Sequence, residues 1–356
     1  MAATRIQPTP NSPSKIQIAR VSHVYLRHPD PDKFLAFGQD FGLVEEARHG
    51  DAVYLRGYGV DPYCYVVLPS LDEKKEFGGT AFLVQSKEDL EKAMKLPGAT
   101  RKSLTHAPGG GELVSLVSPG GTKLHLLWGQ ETRSVPDKEP SAQVISVGPQ
   151  NLPFKKERQG ALYSFARAVL ADPRNKTGEF QRFKPGPAMV HKLGHYGYST
   201  SSFDADASYY LDNFNLTPSD ILYDPDMPDL DVLVFLHIDL GAAYSDHHTF
   251  FMQRAPPGKE TAMHHCSFEV ADFDTQLLGH QWLAAKGYES IWGVGRHILG
   301  SQIFDYWRDP SGFIAEHYAD GDVVNQDTPV SRQEAGPNSL SVWGPPVPAE
   351  FGGTGH

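Results

Sequence analysis

The chain repeats itself. Val21–Leu26 reads VSHVYL and Leu193–Tyr198 reads LGHYGY, while Ser118–Gly129 reads SPGGTKLHLLWG and Asp309–Gly321 reads DPSGFIAEHYADG. Duplication on this scale constrains the fold more than local propensity does, because each copy must bury its apolar face against a neighbouring copy. The surrounding pattern repeats as well. Ala19–Arg27 predicts a strand, Asp30–Asp40 a helix with an acidic, proline-containing first turn, and Ala52–Arg56 and Tyr63–Leu68 two further strands. Gly79–Val84, Lys87–Lys95, Leu113–Val117 and Thr122–Leu127 run through the same order. The rhythm returns with a strand at His191–Thr200, a helix at Asp204–Phe214 and strands at Val232–Ile238 and His247–Met252. It closes with a strand at Met263–Val270, a helix at Asp272–Lys286, and a hairpin whose strands, around Phe304–Tyr306 and at Phe313–Tyr318, flank the turn Asp309–Gly312. The expected fold is α+β: two domains, each of paired strand–helix–strand–strand–strand (βαβββ) modules. Four modules in all would form cupped mixed sheets, each cup able to hold a small site.

The expected boundaries follow the rhythm. Residues 1–17, rich in Pro, Ser and Thr, read as a mobile arm. Residues 18–130 read as an N-terminal domain and 188–324 as a C-terminal one. Between them, 131–187 reads as a linker with a surface excursion and one helix at Ala161–Leu170. The Pro/Gly-rich tail 325–356 is expected to lie over the surface. The 356 residues carry 43 acidic against 32 basic side chains, a net charge of -11, which argues against binding nucleic acid through its phosphates. No run approaches the roughly 18 apolar residues of a membrane span, and Met1–Arg20 lacks the apolar core of a secretion signal. Cys64 and Cys266 are the only cysteines, too few for a disulfide framework, so a reducing, cytoplasmic setting is expected. Asn175-Lys-Thr and Asn215-Leu-Thr are read as chance sequon matches.

The closing hairpin raises a chemical question. Alternation sets Phe313 and Ala315 on one face and Ile314 and Glu316 on the other. A carboxylate on the inner face of a curved sheet costs roughly several kcal/mol unless it is paired, protonated or bound to a metal. Laying the two halves over one another puts His195, His265 and Glu316 inward in the second half, and His23, Gly79 and His125 at the matching positions of the first. One donor is missing from the first half, as expected if only the second holds a metal. Taken singly, each residue has an ordinary structural account: His195 as a buried strand histidine, His264 and His265 as edge polar residues, His247 and His248 as a solvated turn, Tyr306 as core. Taken together, two imidazoles and one carboxylate are the facial set of non-haem Fe(II) oxygenases. Three protein ligands leave up to three positions open, and a dication so held keeps a net charge of +1 that can accept a chelating catecholate.

Longer motifs sharpen this. Gly293-Val294-Gly295-Arg296-His297 is followed nine residues later by Tyr306 and ten after that by Glu316. His264-His265-Cys266-Ser267-Phe268-Glu269-Val270 opens one strand, Leu193-Gly194-His195 lies in another, and His247-His248 stands between. In these motifs the second half resembles the type I extradiol (ring-cleaving) catechol dioxygenases of the vicinal oxygen chelate superfamily, which also holds glyoxalases and bleomycin resistance proteins. The resemblance covers about residues 190–320, with 19–128 as a degenerate copy. It implies Fe(II), or Mn(II), on His195, His265 and Glu316, with O2 as co-substrate and a small aromatic diol as substrate. It implies that His248 takes a proton from the catechol and later returns one, with His247 left open for that role. His297 would donate to a substrate oxygen, and Tyr306 would bond the deprotonated hydroxyl. The resemblance also carries a homo-oligomer. The chain departs from the pattern in a His248–His265 spacing about two residues longer, through Pro256–Gly258, in apolar Ile298 and Leu299 after the Gly-Arg-His motif, and in a longer inter-domain segment. Competing expectations are a 4-hydroxyphenylpyruvate-type 2-oxo acid dioxygenase, which lacks the Gly-Arg-His and His-His motifs, a glyoxalase-type isomerase with a more carboxylate-rich ligand set, and a ligand-binding or resistance protein without redox chemistry.

Overall fold

A computed structural model describes residues 5–135, 185–336 and 339–348. The helix expected at Ala161–Leu170 lies outside them. Eight strands form the first sheet: β1 (Ile18–His28), β2 (Val44–His49), β3 (Ala52–Arg56), β4 (Tyr65–Pro69), β5 (Glu76–Val84), β6 (Thr100–Ser103), β7 (Glu112–Val117) and β8 (Lys123–Trp128). Their spatial order is β2-β3-β4-β1-β5-β8-β7-β6. The order is symmetric about the antiparallel pair β1–β5, so each module contributes four strands and the modules join through their first strands. Helices Pro31–Asp40 and Lys87–Ala93 follow β1 and β5. Each starts where the sequence offers a cap: Asp30 accepts from Lys33 N with proline just inside, and Ser86 accepts from Asp89 N.

The second half repeats this plan. It comprises β9 (Lys192–Thr200), β10 (Leu216–Asp224), β11 (Met227–Ile238), β12 (Ser245–Asp246), β13 (Phe250–Arg254), β14 (Ala262–Glu269), β15 (Glu289–His297), β16 (Ile303–Arg308), β17 (Ile314–Ala319), β18 (Val323–Val324), β19 (Ser331–Glu334) and β20 (Ser341–Trp343). Helices Phe203–Asn213 and Phe273–Ala285 follow β9 and β14. The second sheet runs β19-β10-β11-β13-β9-β14-β17-β16-β15-β20, with β9 and β14 as the central antiparallel pair. The architecture is therefore α+β, two domains of paired βαβββ modules, four in all. The halves pack through aromatic side chains: Phe41 stacks on His317 with ring centroids 3.7 Å apart, and His317 Nε2 donates to Phe41 O at 2.7 Å. Among the described residues no helix is long and apolar enough to cross a membrane.

Three expectations change. In each module one of the three expected strands after the helix (β2, β6, β10 and most of β15) falls where the sequence marks no strand. β2 (VEEARH) and β6 (TRKS) are polar and mostly exposed, so they lack the apolar alternation that marks a strand. β10 is buried but carries Pro218 and register shifts at Pro218/Asp220 and beyond. Residues 5–17 were expected to be mobile, yet they lie against the second half. Ile6 N donates to Asp231 Oδ2 at 2.7 Å, Lys15 Nζ to Leu211 O at 2.6 Å, and Ile16 is buried and bridges to Phe214. The tail does more than cover a surface: β19 extends the sheet beside β10, and β20 extends it beside β15. Asn215, in one of the two sequon matches, has its side-chain nitrogen engaged with Ile18 O and Asp239 O, both at 3.0 Å.

Candidate metal centre

Strand register alone gathers the three predicted donors. Ser267 on β14 lies beside His195 on β9 and beside Glu316 on β17. His265 stands two residues before Ser267, hence on the same face. Glu316 Oε2 is 3.2 Å from His195 Nε2 and 3.3 Å from His265 Nε2, and the two Nε2 atoms are 3.4 Å apart. One donor atom from each residue falls within 4.8 Å of the others, and all three side chains are buried. This is the one such cluster among the described residues.

These residues fit a divalent cation. Glu316 is fully buried, and neither of its oxygens receives a well-aligned hydrogen bond, although both imidazoles stand at ion-pair distance. Two imidazole nitrogens facing each other can share at most one proton, which leaves lone pairs aimed at a common point. Burial pushes the His195 imidazole down to about 4, against the pull of Glu316. Burial alone would raise the Glu316 carboxyl, but the His195 and His265 imidazoles beside it hold it well below the usual carboxylate range. The arrangement is thus a carboxylate held ionised beside the His195 and His265 imidazoles, the donor types that a divalent cation takes.

A second tier surrounds this set. His247-His248-Thr249 leads into β13, and the two histidines diverge. His247 Nε2 bonds Asp220 Oδ2 at 2.7 Å, away from the metal cluster. His248 lies with its ring centroid 4.1 Å from that of His195 and its ring against Phe235. Burial, then the neighbouring imidazoles of His195, His247, His265 and His297, keep His248 well below the usual imidazole range. A neutral imidazole at this point can accept a proton. Tyr306 on β16 pairs across the ladder with Glu316 and so shares its face. His297, at the end of β15, places Nδ1 2.8 Å from Leu340 O and Nε2 2.8 Å from Tyr306 OH. With the proton on Nδ1 donated to that carbonyl, Nε2 accepts from Tyr306. Burial raises Tyr306 well above its ordinary value and lowers His297.

The six predicted residues therefore stand around one cavity of about 80 Å³: His195, His248, His265, His297 and Tyr306 line it, and Glu316 lies beneath. Two groups in this tier escaped sequence reasoning. His264 Nδ1 lies 2.8 Å from His265 Nδ1 and can fix the orientation of that ring. Adjacent strand residues normally point to opposite faces, but the β9–β14 ladder shifts register between Met263 and His265, which brings His264 alongside. Its only sequence signal is the His-His pair. Leu340 lies in the tail, where nothing in the sequence marks it.

Residues 192–316 match the model of the Glyoxalase/Bleomycin resistance protein/Dioxygenase superfamily. Metapyrocatechase 2 of Cupriavidus necator is 32% identical over 209 residues, and the match spans 58% of each chain. Among solved structures, the Mn(II)-bound glyoxalase of Novosphingobium aromaticivorans is 17% identical with a TM-score of 0.70, covering 96% of this chain and 95% of its own. Homoprotocatechuate 2,3-dioxygenase of Brevibacterium fuscum, in complex with 3,4-dihydroxyphenylacetate, is 15% identical with a TM-score of 0.70 and coverage of 96% and 94%. At those identities the two structures speak to the fold across nearly the whole chain. The stretch that carries all three donors, residues 192–316, thus matches the Glyoxalase/Bleomycin resistance protein/Dioxygenase superfamily, within a chain that shares its fold with these two solved structures.

Proposed function

We propose that this chain is an extradiol dioxygenase, which inserts both atoms of O2 into a catechol and opens the ring beside the diol. The observation that carries the reading is the convergence of His195, His265 and Glu316 at the floor of a cavity whose walls hold one further imidazole, His248, with its Nδ1 3.1 Å from His247 Nδ1, and the His297–Tyr306 pair. Two imidazoles and one carboxylate suit Fe(II), with Mn(II) close behind in ligand preference. Such an ion, when bound, supplies open positions for a chelating diol and redox contact with O2. The remaining work falls to the chain. His248, neutral at ordinary pH, takes a hydroxyl proton from the diol and later returns one. Tyr306, its proton given to His297, offers its phenolic oxygen as acceptor to a diol hydroxyl, and His297 holds Tyr306 in that orientation. Apolar walls exclude water from these groups, which strengthens each of their electrostatic contacts.

A single carboxylate in the donor set favours this chemistry over a glyoxalase-type isomerisation, and the His248 and His297 imidazoles favour it over 2-oxo acid oxidation. The same reading takes 18–130 and 188–324 as the two domains of a cytoplasmic homo-oligomer. The test is anaerobic purification, loading with Fe(II) or Mn(II), and mixing with a catechol in air. A yellow ring-fission product with matched O2 uptake is expected. Tightly bound metal with no O2 uptake across several catechols would point instead to a ligand-binding protein.

A further inference from the structure

Apart from the cluster's own groups, the cavity wall is mainly apolar: Leu233, Phe235, Phe251, Trp292, Leu299 and Leu340 stand among the imidazoles, with Gln253, His264 and Gln302 as the other polar lining residues. Leu233 pairs with Gln253, and Phe235 with Phe251, across β11 and β13, so these four side chains share one face. The Gln253 amide is already engaged, donating to Ser199 Oγ at 2.9 Å. No Arg or Lys lines the cavity among the described residues. The cation next to the cluster in sequence, Arg296, is held elsewhere by Ser301 O at 2.7 Å and Asp320 Oδ2 at 2.8 Å.

This lining bears on the substrate. The ring substituent of a diol held at the cluster meets a mainly apolar wall. A carboxylate there would leave water with no cation to compensate its charge, whereas an alkyl or aryl group would bury apolar surface. We propose that the substrate is a catechol bearing an uncharged, apolar ring substituent rather than a carboxylated one. The proposal rests on the dioxygenase reading for how the diol is held, and on the wall alone for the choice of substituent.

Two measurements separate those parts. The Fe(II)-loaded protein is titrated anaerobically with catechol, 4-methylcatechol and 3,4-dihydroxyphenylacetate, and the same compounds are then turned over in air. The expected result is 4-methylcatechol bound at least ~100-fold more tightly than 3,4-dihydroxyphenylacetate, with the same order in kcat/KM. Equal or tighter binding of the carboxylated compound overturns the proposal, whatever the turnover. Binding in the expected order with no O2 consumed sinks the dioxygenase reading but leaves the wall's preference standing. Leu233→Arg places a cation in the wall and should narrow the gap by about tenfold or more. An unchanged ratio in a folded, metal-loaded variant would mean that the substituent does not face this wall, which also overturns the proposal.

Discussion

The two cups of this molecule are built on one strand plan and filled in opposite ways. On β1, His23 lies beside Ala81 of β5, which lies beside His125 of β8. On β9, His195 lies beside Ser267 of β14, which lies beside Glu316 of β17. One step along, Tyr25 faces Gly79 in the first cup, and Gly197 faces His265 in the second. Bulk has changed strands between the copies. In the first cup the Tyr25 ring occupies the centre, with centroids 4.8 Å from His23 and 5.1 Å from His125, and His125 Nε2 bonds Gly78 O at 3.0 Å. In the second, Gly197 stands at the matching position and the Phe251 ring packs directly over it, while the three donors converge beside that ring, whose centroid is 5.1 Å from that of His265. His248 has a counterpart as well: the Tyr63 ring centroid lies 4.5 Å from that of His23, as the His248 centroid lies 4.1 Å from that of His195. One aromatic plug and one missing donor separate a closed core from a candidate reaction site.

The most severe way to break this comparison is to remove equivalent or neighbouring imidazoles from each cup and weigh the metal. His265→Ala should abolish stoichiometric binding of Fe(II), measured by elemental analysis after desalting, because two donors hold a divalent ion weakly. His125→Ala should leave the metal content unchanged and cost about 2–3 kcal/mol of stability by urea unfolding, from a lost buried ring and two hydrogen bonds. Metal loss in both variants would erase the distinction between the cups. His248→Ala comes next. It should keep its metal and lose roughly 10²–10⁴-fold in kcat, the usual worth of a positioned proton-transfer group. Its pH profile adds a sign. The neutral imidazole is the working form and burial depresses it, so the parent's kcat/KM should persist as pH falls through the ordinary imidazole value of about 6.5 and decline only well below it. The variant should lack that acid limb, and an unchanged profile would remove His248 from the chemistry.

Gly79→His asks whether the missing donor can be restored. It should not create a second metal site. Gly79 has φ +110°, a conformation that disfavours any side chain, and a Cβ there would meet His125 Nε2 and Lys123 O at 2.7 Å. The expected outcome is about 2–4 kcal/mol of destabilisation with metal content still at the parent level. A second bound equivalent would show that the first cup is plastic rather than closed.

How much of this was legible in the sequence follows from where each feature is encoded. His195, His265 and Glu316 were readable because duplication, strand alternation and the Gly-Arg-His motif each fix a position without any knowledge of loops, and the ladders keep the same registers. His264 was not, because a register shift at one residue has no signature in side-chain pattern. The choice between His247 and His248 was open in the sequence, because which ring turns toward Asp220 depends on a strand, β10, that the polar and proline-bearing run Leu216–Asp224 concealed. Leu340 and residues 5–17 were invisible for another reason. Pro/Ser/Gly-rich segments have no periodicity, and their place is decided by the surface they meet: Leu340 by His297, and Ile6 by Asp231.

The smallest effect sharpens the comparison where the halves grip each other. Each half sends its last hairpin turn onto the other. In Ser118–Gly121, Gly120 N donates to Asp206 Oδ1 at 2.7 Å. In Asp309–Gly312, Ser311 Oγ meets His28 Nδ1 at 2.8 Å, with Asp309 Oδ2 3.9 Å from the same nitrogen. Only the second contact carries an imidazole. Burial pushes His28 down to about 3 and Asp309 up to about 6. As pH falls below about 6.5, the unfolded chain protonates His28 while the folded chain refuses, so this group lowers stability by up to about 1.4 kcal/mol per pH unit. As pH falls from about 6 toward 3.8, the folded chain protonates Asp309 while the unfolded chain does not, so this group raises stability at the same rate. Between roughly pH 6 and 4 the pair binds one proton in either state, and its two slopes cancel. Single substitutions should expose them. Measured by urea unfolding against the parent, His28→Gln should gain about 2 kcal/mol on going from pH 6 to 4.5, and Asp309→Asn should lose about as much. Parallel curves for parent and both variants would mean that the two groups titrate alike in the folded and unfolded chain, and that the second turn is held no differently from the first.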